Sequence, residues 1–116
     1  MVVSVDTTKT LRRAGIRGRV AEVFWELVQR IDGNTIHDAG VQDLGAVLEM
    51  DAGNVSRAIS KLEYAGLVMR GRRRSGVIYL NPNLAFRGST AHQRAAVNSW
   101  ASAHRRHHDV VNIRTA

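Results

Sequence analysis

Residues 41–70, VQDLGAVLEMDAGNVSRAISKLEYAGLVMR, constrain this 116-residue chain most, because they hold two helical hydrophobic patterns separated by a short break of fixed length. In the first pattern Val41, Leu44, Val47 and Leu48 recur at steps of three and four and predict a helix over 41–48 with those side chains inward. Barely two turns long, it depends on tertiary packing for its stability. In the second, Val55, Ile59 and Leu62 give a helix over 51–65 one buried stripe, with Asp51 as its expected N-cap and Gly66 as its stop. Gly45 lets another backbone approach the first helix closely. Leu44, Leu48, Met50, Val55, Ile59 and Leu62 form the common core, so the short helix braces the longer one at a steep angle and leaves its outer face free.

The flanking segments complete a small domain. Ile16, Val20, Val23, Phe24, Leu27, Val28 and Ile31 form an amphipathic stripe interrupted by charges, predicting a helix that ends at Asp32-Gly33-Asn34, with a short strand over 35–37. Beyond Gly66, residues 67–69 and 77–80 read as two strands joined by the turn GRRRSG, and the only proline, Pro82, closes the second. Residues 90 to about 108 lack proline and glycine and place Val97, Trp100, Ala101 and His104 on one side, predicting a terminal helix that frays after Asp109. The expected fold class is mainly α with a small β-hairpin (α+β). Its expected divisions are an N-terminal arm (1–14), a domain (15–88) and a C-terminal helix (89–116), the last a dimerisation element through Val97, Trp100, Ala101 and His104, or else a support on which Trp100 packs against the first helix.

Charge narrows the function. The chain has 17 Lys and Arg against 10 Asp and Glu, a net +7. Residues 1–66 hold 8 bases and 9 acids and 67–116 hold 9 and 1, so the halves carry −1 and +8. Such asymmetry suits a surface laid on a polyanion better than a site for a small substrate. Fifteen of the bases are arginine, which favours bidentate contacts to phosphate and guanine, and which a GC-rich genome also produces. Between Glu22 and Asp51 there are seven acids and one base, Arg30, so that face is expected to point away from phosphates.

The absence of cysteine excludes disulfides and cysteine-ligated metals. No apolar run approaches the roughly 20 residues that span a bilayer. Asp6 and its polar neighbours stand where an export signal needs an apolar stretch, so a cytoplasmic location is expected. His104, His107 and His108 have helical spacing, but no cysteine or carboxylate pair completes a metal site, and they equally suit a helix C-terminus. His37 and His92 are isolated, and no phosphate loop, dinucleotide fingerprint or nucleophile elbow occurs. Neither a cofactor nor an enzyme is expected.

With Val55, Ile59 and Leu62 inward, Ala52, Gly53, Asn54, Ser56, Arg57, Ser60 and Lys61 lie on or beside the outward face of the longer helix and are the candidates for contact with double-stranded DNA in a major groove about 12 Å wide. Arg57 can grip guanine O6 and N7, and Asn54 can do the same to adenine N6 and N7. The serines equally suit a solvated helix surface, and Lys61 an ion pair with a nearby acid. Arg72, Arg73 and Arg74 at the hairpin tip suit a minor groove or the phosphate backbone, and Arg70 and Arg87 suit phosphate contacts that set register.

Residues 41–80 resemble the winged helix-turn-helix domain of bacterial transcription regulators of the MarR type, through LEMDAGNVSRAISKLEYAGLV. Glu49 stands where such turns often carry glycine. The resemblance implies major-groove reading by helix 51–65, a wing over 70–76, a homodimer on an inverted repeat, and a transcriptional regulator, for example a repressor; a small-molecule effector is conceivable, but no residues indicate one. The run VIYLNPNLAFRG is similar to the end of the conserved domain in plasmid replication proteins of the RepL type, through Asn81, Pro82, Arg87 and Gly88. It implies the alternative of origin binding in plasmid replication or copy-number control. Either role places the protein on a bacterial nucleoid or plasmid. An architectural protein that coats DNA by charge, and a domain whose basic face meets an acidic protein, are further classes; specific binding separates the first and absence of DNA binding at low salt favours the second.

Overall fold

The stripe from Ile16 to Ile31 organises the molecule, since it supplies the side chains on which every other layer rests. In the computed structural model, which describes residues 1–71 and 76–115 with side chains as far as residue 103, this stripe lies on and around helix α2 (Arg19–Gln29). Val23, Phe24, Leu27 and Val28 are buried there, and Ile16 and Ile31 beyond its ends are buried as well. Trp25 packs partly buried, edge-on to Phe24 with centroids 5.1 Å apart. The helix begins only at Arg19 because Gly18 holds φ 63, and it is preceded by strand β1 (Val2–Val3) and helix α1 (Thr7–Arg13). The rest comprises β2 (Thr35–Ile36), α3 (Val41–Leu48), α4 (Ala52–Tyr64), β3 (Val68–Arg70), β4 (Ile78–Leu80), β5 (Ala85–Phe86) and α5 (Thr90–Thr115). Among the described residues this is an α+β fold of five helices with two small antiparallel sheets.

Helix α3 has the predicted bounds, but Val47 is 58% exposed rather than inward. At 100° per residue, Val41, Leu44, Gly45 and Leu48 share one arc of about 100° and position 47 falls outside it. Gly45 is buried beneath the turn that follows: a Cβ there would stand 2.4 Å from the carbonyl oxygen of Met50. The turn over 49–51 closes with the Met50 N–H donating to the Gly45 carbonyl (2.9 Å) and Glu49 in the left-handed region at φ 55. Helix α4 buries Val55, Ala58, Ile59 and Leu62 against α2 and α3, and stops at Gly66, where φ of 79 lets Leu67 N–H reach the Leu62 carbonyl (2.9 Å).

In the three-stranded sheet, ordered β2-β4-β3, Ile36, Val68, Ile78 and Leu80 face the core. Met69 pairs across from Tyr79, and with Asn34 they line a recess of about 350 Å³ against Ala96, Ser99, Trp100 and Ala103 of α5. Trp100 is therefore buried within its own chain, where it shares this recess with residues of the sheet. Helix α5 continues to Thr115, past the end expected near residue 108.

Residues 1–14, expected as an arm, are built into the fold. Val2 and Val3 pair with Phe86 and Ala85, the Leu84 carbonyl accepts from Ser4 N–H (2.8 Å) and Thr7 Oγ1 (2.9 Å), and Leu11 is buried. The segment after β4 is also explained by local bonding: Asn81 Nδ2 donates to the Gly66 carbonyl (3.2 Å), Asn81 Oδ1 accepts from Asn83 N–H (3.0 Å), and the Pro82 carbonyl accepts from Gln93 (3.2 Å). No helix among the described residues is long and apolar enough to cross a membrane.

Candidate nucleic-acid interface

A helix seated on the core by residues 55, 58, 59 and 62 must present the opposite arc outward. On α4 that arc carries Gly53, Arg57, Ser60 and Tyr64, at steps of four, three and four, all exposed, with Tyr64 97% exposed. Asn54 and Lys61 form its shoulder towards α2, and Ser56 and Glu63 its shoulder towards β3. Ala52 and Ser56 are half-buried, and Asn54 and Lys61 are exposed. Lys61 has no ion pair among the described residues, so the expected alternative of an intrahelical partner does not occur there.

Arg57 and Asn54 are coupled: the Arg57 Nη2 donates to Asn54 Oδ1. The bond uses one of the two acceptor positions of the Asn54 oxygen and leaves Arg57 with further N–H groups in a planar fork.

The two shoulders are held by arginines whose work sequence spacing does not reveal. On the α2 side, Arg19 bridges to Glu22 (2.5 Å) and donates to the carbonyls of Leu48 and Glu49, satisfying acceptors left over at the α3 C-terminus. It lines a cleft of about 440 Å³ with Asp51, Asn54, Arg57 and Lys61. The start of α2 therefore lies beside the outward face of α4, where a face turned away from it was expected. The acidic Glu26 and Asp38 are bound elsewhere, on Arg30 at 3.1 and 3.5 Å.

On the sheet side, Arg70 does not project freely. Its Nη1 bonds Glu63 Oε1 (3.2 Å) and Ser60 Oγ (3.1 Å), its Nη2 bonds the Ser56 carbonyl (3.0 Å), and its backbone N–H donates to Glu63 Oε2 (2.9 Å). Strand β3 is thus fastened to α4 through Ser56, Ser60 and Glu63. Those contacts neutralise the one acid on this shoulder, and they engage the two serines singled out from the sequence.

Asp51 occupies the N-cap position of α4, but its side chain makes no capping bond, contrary to expectation. Its backbone is extended and its carbonyl accepts from Val55 N–H (3.0 Å), so only the main chain closes the first turn. Arg87 is exposed, its backbone paired with Gly33 (2.9 Å), and it lines neither cleft beside α4. Arg72, Arg73 and Arg74, and the side chain of His104, lie outside the described residues. Of the remaining dimerisation candidates Val97 is half-buried and Ala101 exposed. Tyr64 is the outward residue that the sequence reading passed over, although its seven-residue step from Arg57 places it on the same arc. Among the described residues no three His, Asp or Glu side chains come together as a metal site. No family model, curated protein or solved structure matches this chain.

Proposed function

We propose that this chain is a winged helix-turn-helix protein that binds double-stranded DNA in a sequence-specific way, with α4 in the major groove and the β3–β4 connection as the wing. The observation that carries the reading is the outward arc of α4. It is exposed along its length, holds Arg57 with Asn54 and Lys61 on its shoulder, and has its one acid, Glu63, bound to Arg70, with Glu49 and Asp51 confined to the cleft at its N-terminal end. The brace of α3, the tight turn and the Arg70 link fix the helix, as base reading requires. The favoured role is transcriptional regulation in a bacterial or mobile-element setting.

The Asn54–Arg57 bond leaves both proposed base contacts open: the Asn54 oxygen keeps a second lone pair for adenine N6, and Arg57 keeps donors in surplus for guanine O6 and N7. Arginine on guanine is the commonest specific contact, so guanine opposite Arg57 is the leading one. Replacing Arg57 by alanine is expected to cost about 1–3 kcal/mol at the preferred site and to relax specificity at one position. Equal losses on preferred and random duplexes would leave an architectural, charge-driven binder.

Origin binding in plasmid replication is the alternative role. Of the four residues suggesting it, Asn81, Pro82, Arg87 and Gly88, the first two stitch β4 to the end of α4 and to α5, so their presence follows from folding. The location of the preferred site, beside a promoter or within an origin, separates the two roles. Stoichiometry is read from the same site: a homodimer gives an inverted repeat with half-sites about 34 Å apart, a monomer a single half-site. With Trp100 buried within its own chain, the proposed dimer contact lacks its largest apolar side chain.

A further inference from the structure

The N-terminal segment contains a basic cluster that the proposed interface has not used. Residues 7–17 hold Lys9, Arg12, Arg13 and Arg17 and no acid. Helix α1 is fastened at its start by Thr7 on the Leu84 carbonyl and along its length by buried Leu11, which leaves Arg12 and Arg13 exposed in its last turn. The chain then passes through Gly15 at φ 73, plugs Ile16 into the core and turns again at Gly18, so Arg17 stands exposed between two fixed points. Ile16 N–H donates to the Leu11 carbonyl (2.9 Å) and Gly15 N–H to that of Arg12 (3.1 Å), which holds the loop against the helix. None of the three arginines has an ion pair or side-chain hydrogen bond among the described residues.

This loop lies against α4. Ala14, Gly15 and Ile16 share a recess of about 430 Å³ with Ser60, Lys61, Tyr64 and Ala65, the last two turns of the same helix. Lys61 lines both this recess and the cleft that contains Arg19. The outward arc of α4 therefore runs between two flanks: β3, tied on through Arg70, and the residue 14–19 segment on the other side.

We propose that Arg12, Arg13 and Arg17 form a second phosphate-binding flank, gripping the DNA backbone on the side of α4 opposite the β3–β4 connection. A duplex seated on α4 presents a phosphate strand at each edge of its major groove. Exposed, unpaired guanidinium groups on a segment that packs beside the helix are the side chains that such a strand recruits. Cations at both edges fix the angle of the helix in the groove, whereas a wing on one side leaves it free to rock.

The inference rests on the reading of α4 as a groove-binding helix, and its test separates the two. Binding of wild-type protein, Arg57→Ala, the triple variant Arg12→Gln/Arg13→Gln/Arg17→Gln and the charge control Arg94→Gln to a duplex selected by the wild type is measured across salt concentrations, with hydroxyl-radical footprints. Thermal unfolding checks that the exposed substitutions leave the fold intact. The triple variant is expected to lower the slope of log K against log salt by about 0.9 for each phosphate no longer neutralised, roughly 2.7 for three. It is also expected to weaken selected and random duplexes by the same factor, and to lose protection of the backbone on one flank while keeping the preferred sequence. Arg94→Gln is expected to leave the footprint unchanged. A triple variant with the wild-type slope and footprint, in a protein whose preferred-site binding still falls with Arg57→Ala, overturns the second flank alone. Failure of the wild type to bind any duplex at low salt overturns the groove reading and the flank with it.

Discussion

Gly45→Ala probes the joint that sets the angle between α3 and α4. The added Cβ would lie 2.4 Å from the Met50 carbonyl oxygen and 3.6 Å from its carbon, both main-chain atoms. Comfortable separation is about 3.5 Å, so the turn must retreat by roughly 1 Å. Overpacking of that size costs about 1–3 kcal/mol. The retreat also stretches the Met50 N–H bond to the Gly45 carbonyl, now 2.9 Å, a contribution of about 1 kcal/mol. Alanine recovers about 1 kcal/mol of helix propensity. The expected net loss is about 1–3 kcal/mol in urea unfolding, as a lower midpoint with an unchanged m value. Gly53→Ala supplies the comparison, because its Cβ would come no closer than 3.7 Å to the Arg57 side chain, and it should be neutral or gain up to about 1 kcal/mol. A Gly45→Ala protein at least as stable as the wild type would refute the close approach of the turn to α3.

Glu49 sits at φ 55, which costs an L-residue roughly 1–2 kcal/mol, while glycine's greater freedom when unfolded takes back up to about 1. Glu49→Gly should therefore gain about 0.5–1 kcal/mol and Glu49→Val should lose stability, a rank order readable by thermal unfolding. Arg70 and Glu63 are partly solvated, with side chains 37% and 22% exposed, so a double-mutant cycle with Arg70→Ala and Glu63→Gln should give a coupling of only about 0.5 kcal/mol, decreasing in high salt. The Glu63 variant should keep its preferred sequence, since Arg70 still fastens β3 to α4 through Ser56 and Ser60. Trp100→Ala should lower stability by about 2–4 kcal/mol at every protein concentration, because the ring is covered within one chain; a loss that appears only in concentrated samples would place it at an interface between copies.

Much of the fold was legible because its determinants are local. The bounds of α3, the buried stripe of α4, the stop at Gly66 and the need for glycine at 45 follow from periodicity and backbone sterics within a few residues. Apart from Val47 and Asp51, the failures are contacts between distant segments. Val2 and Val3 carry no strand pattern of useful length, and only Ala85 and Phe86, far along the chain, make them a strand. Arg70 looked like a free cation because Glu63, Ser56 and Ser60 lie on another element. Asp51 has the residue type and position of a cap, but its side chain makes no capping bond. The face of α4 was largely legible, Tyr64 excepted; the segments flanking it were not, because nothing in residues 12–19 indicates that they pack beside a helix some 40 residues later.

The central claim is that the outward arc of α4 reads bases. Its most direct test is selection of bound duplexes from a random pool at physiological salt, run in parallel with wild-type protein and Arg57→Ala. An enriched motif containing a guanine that Arg57→Ala no longer selects is expected. A pool that stays flat with the wild type, despite salt-sensitive binding, would contradict base reading by α4.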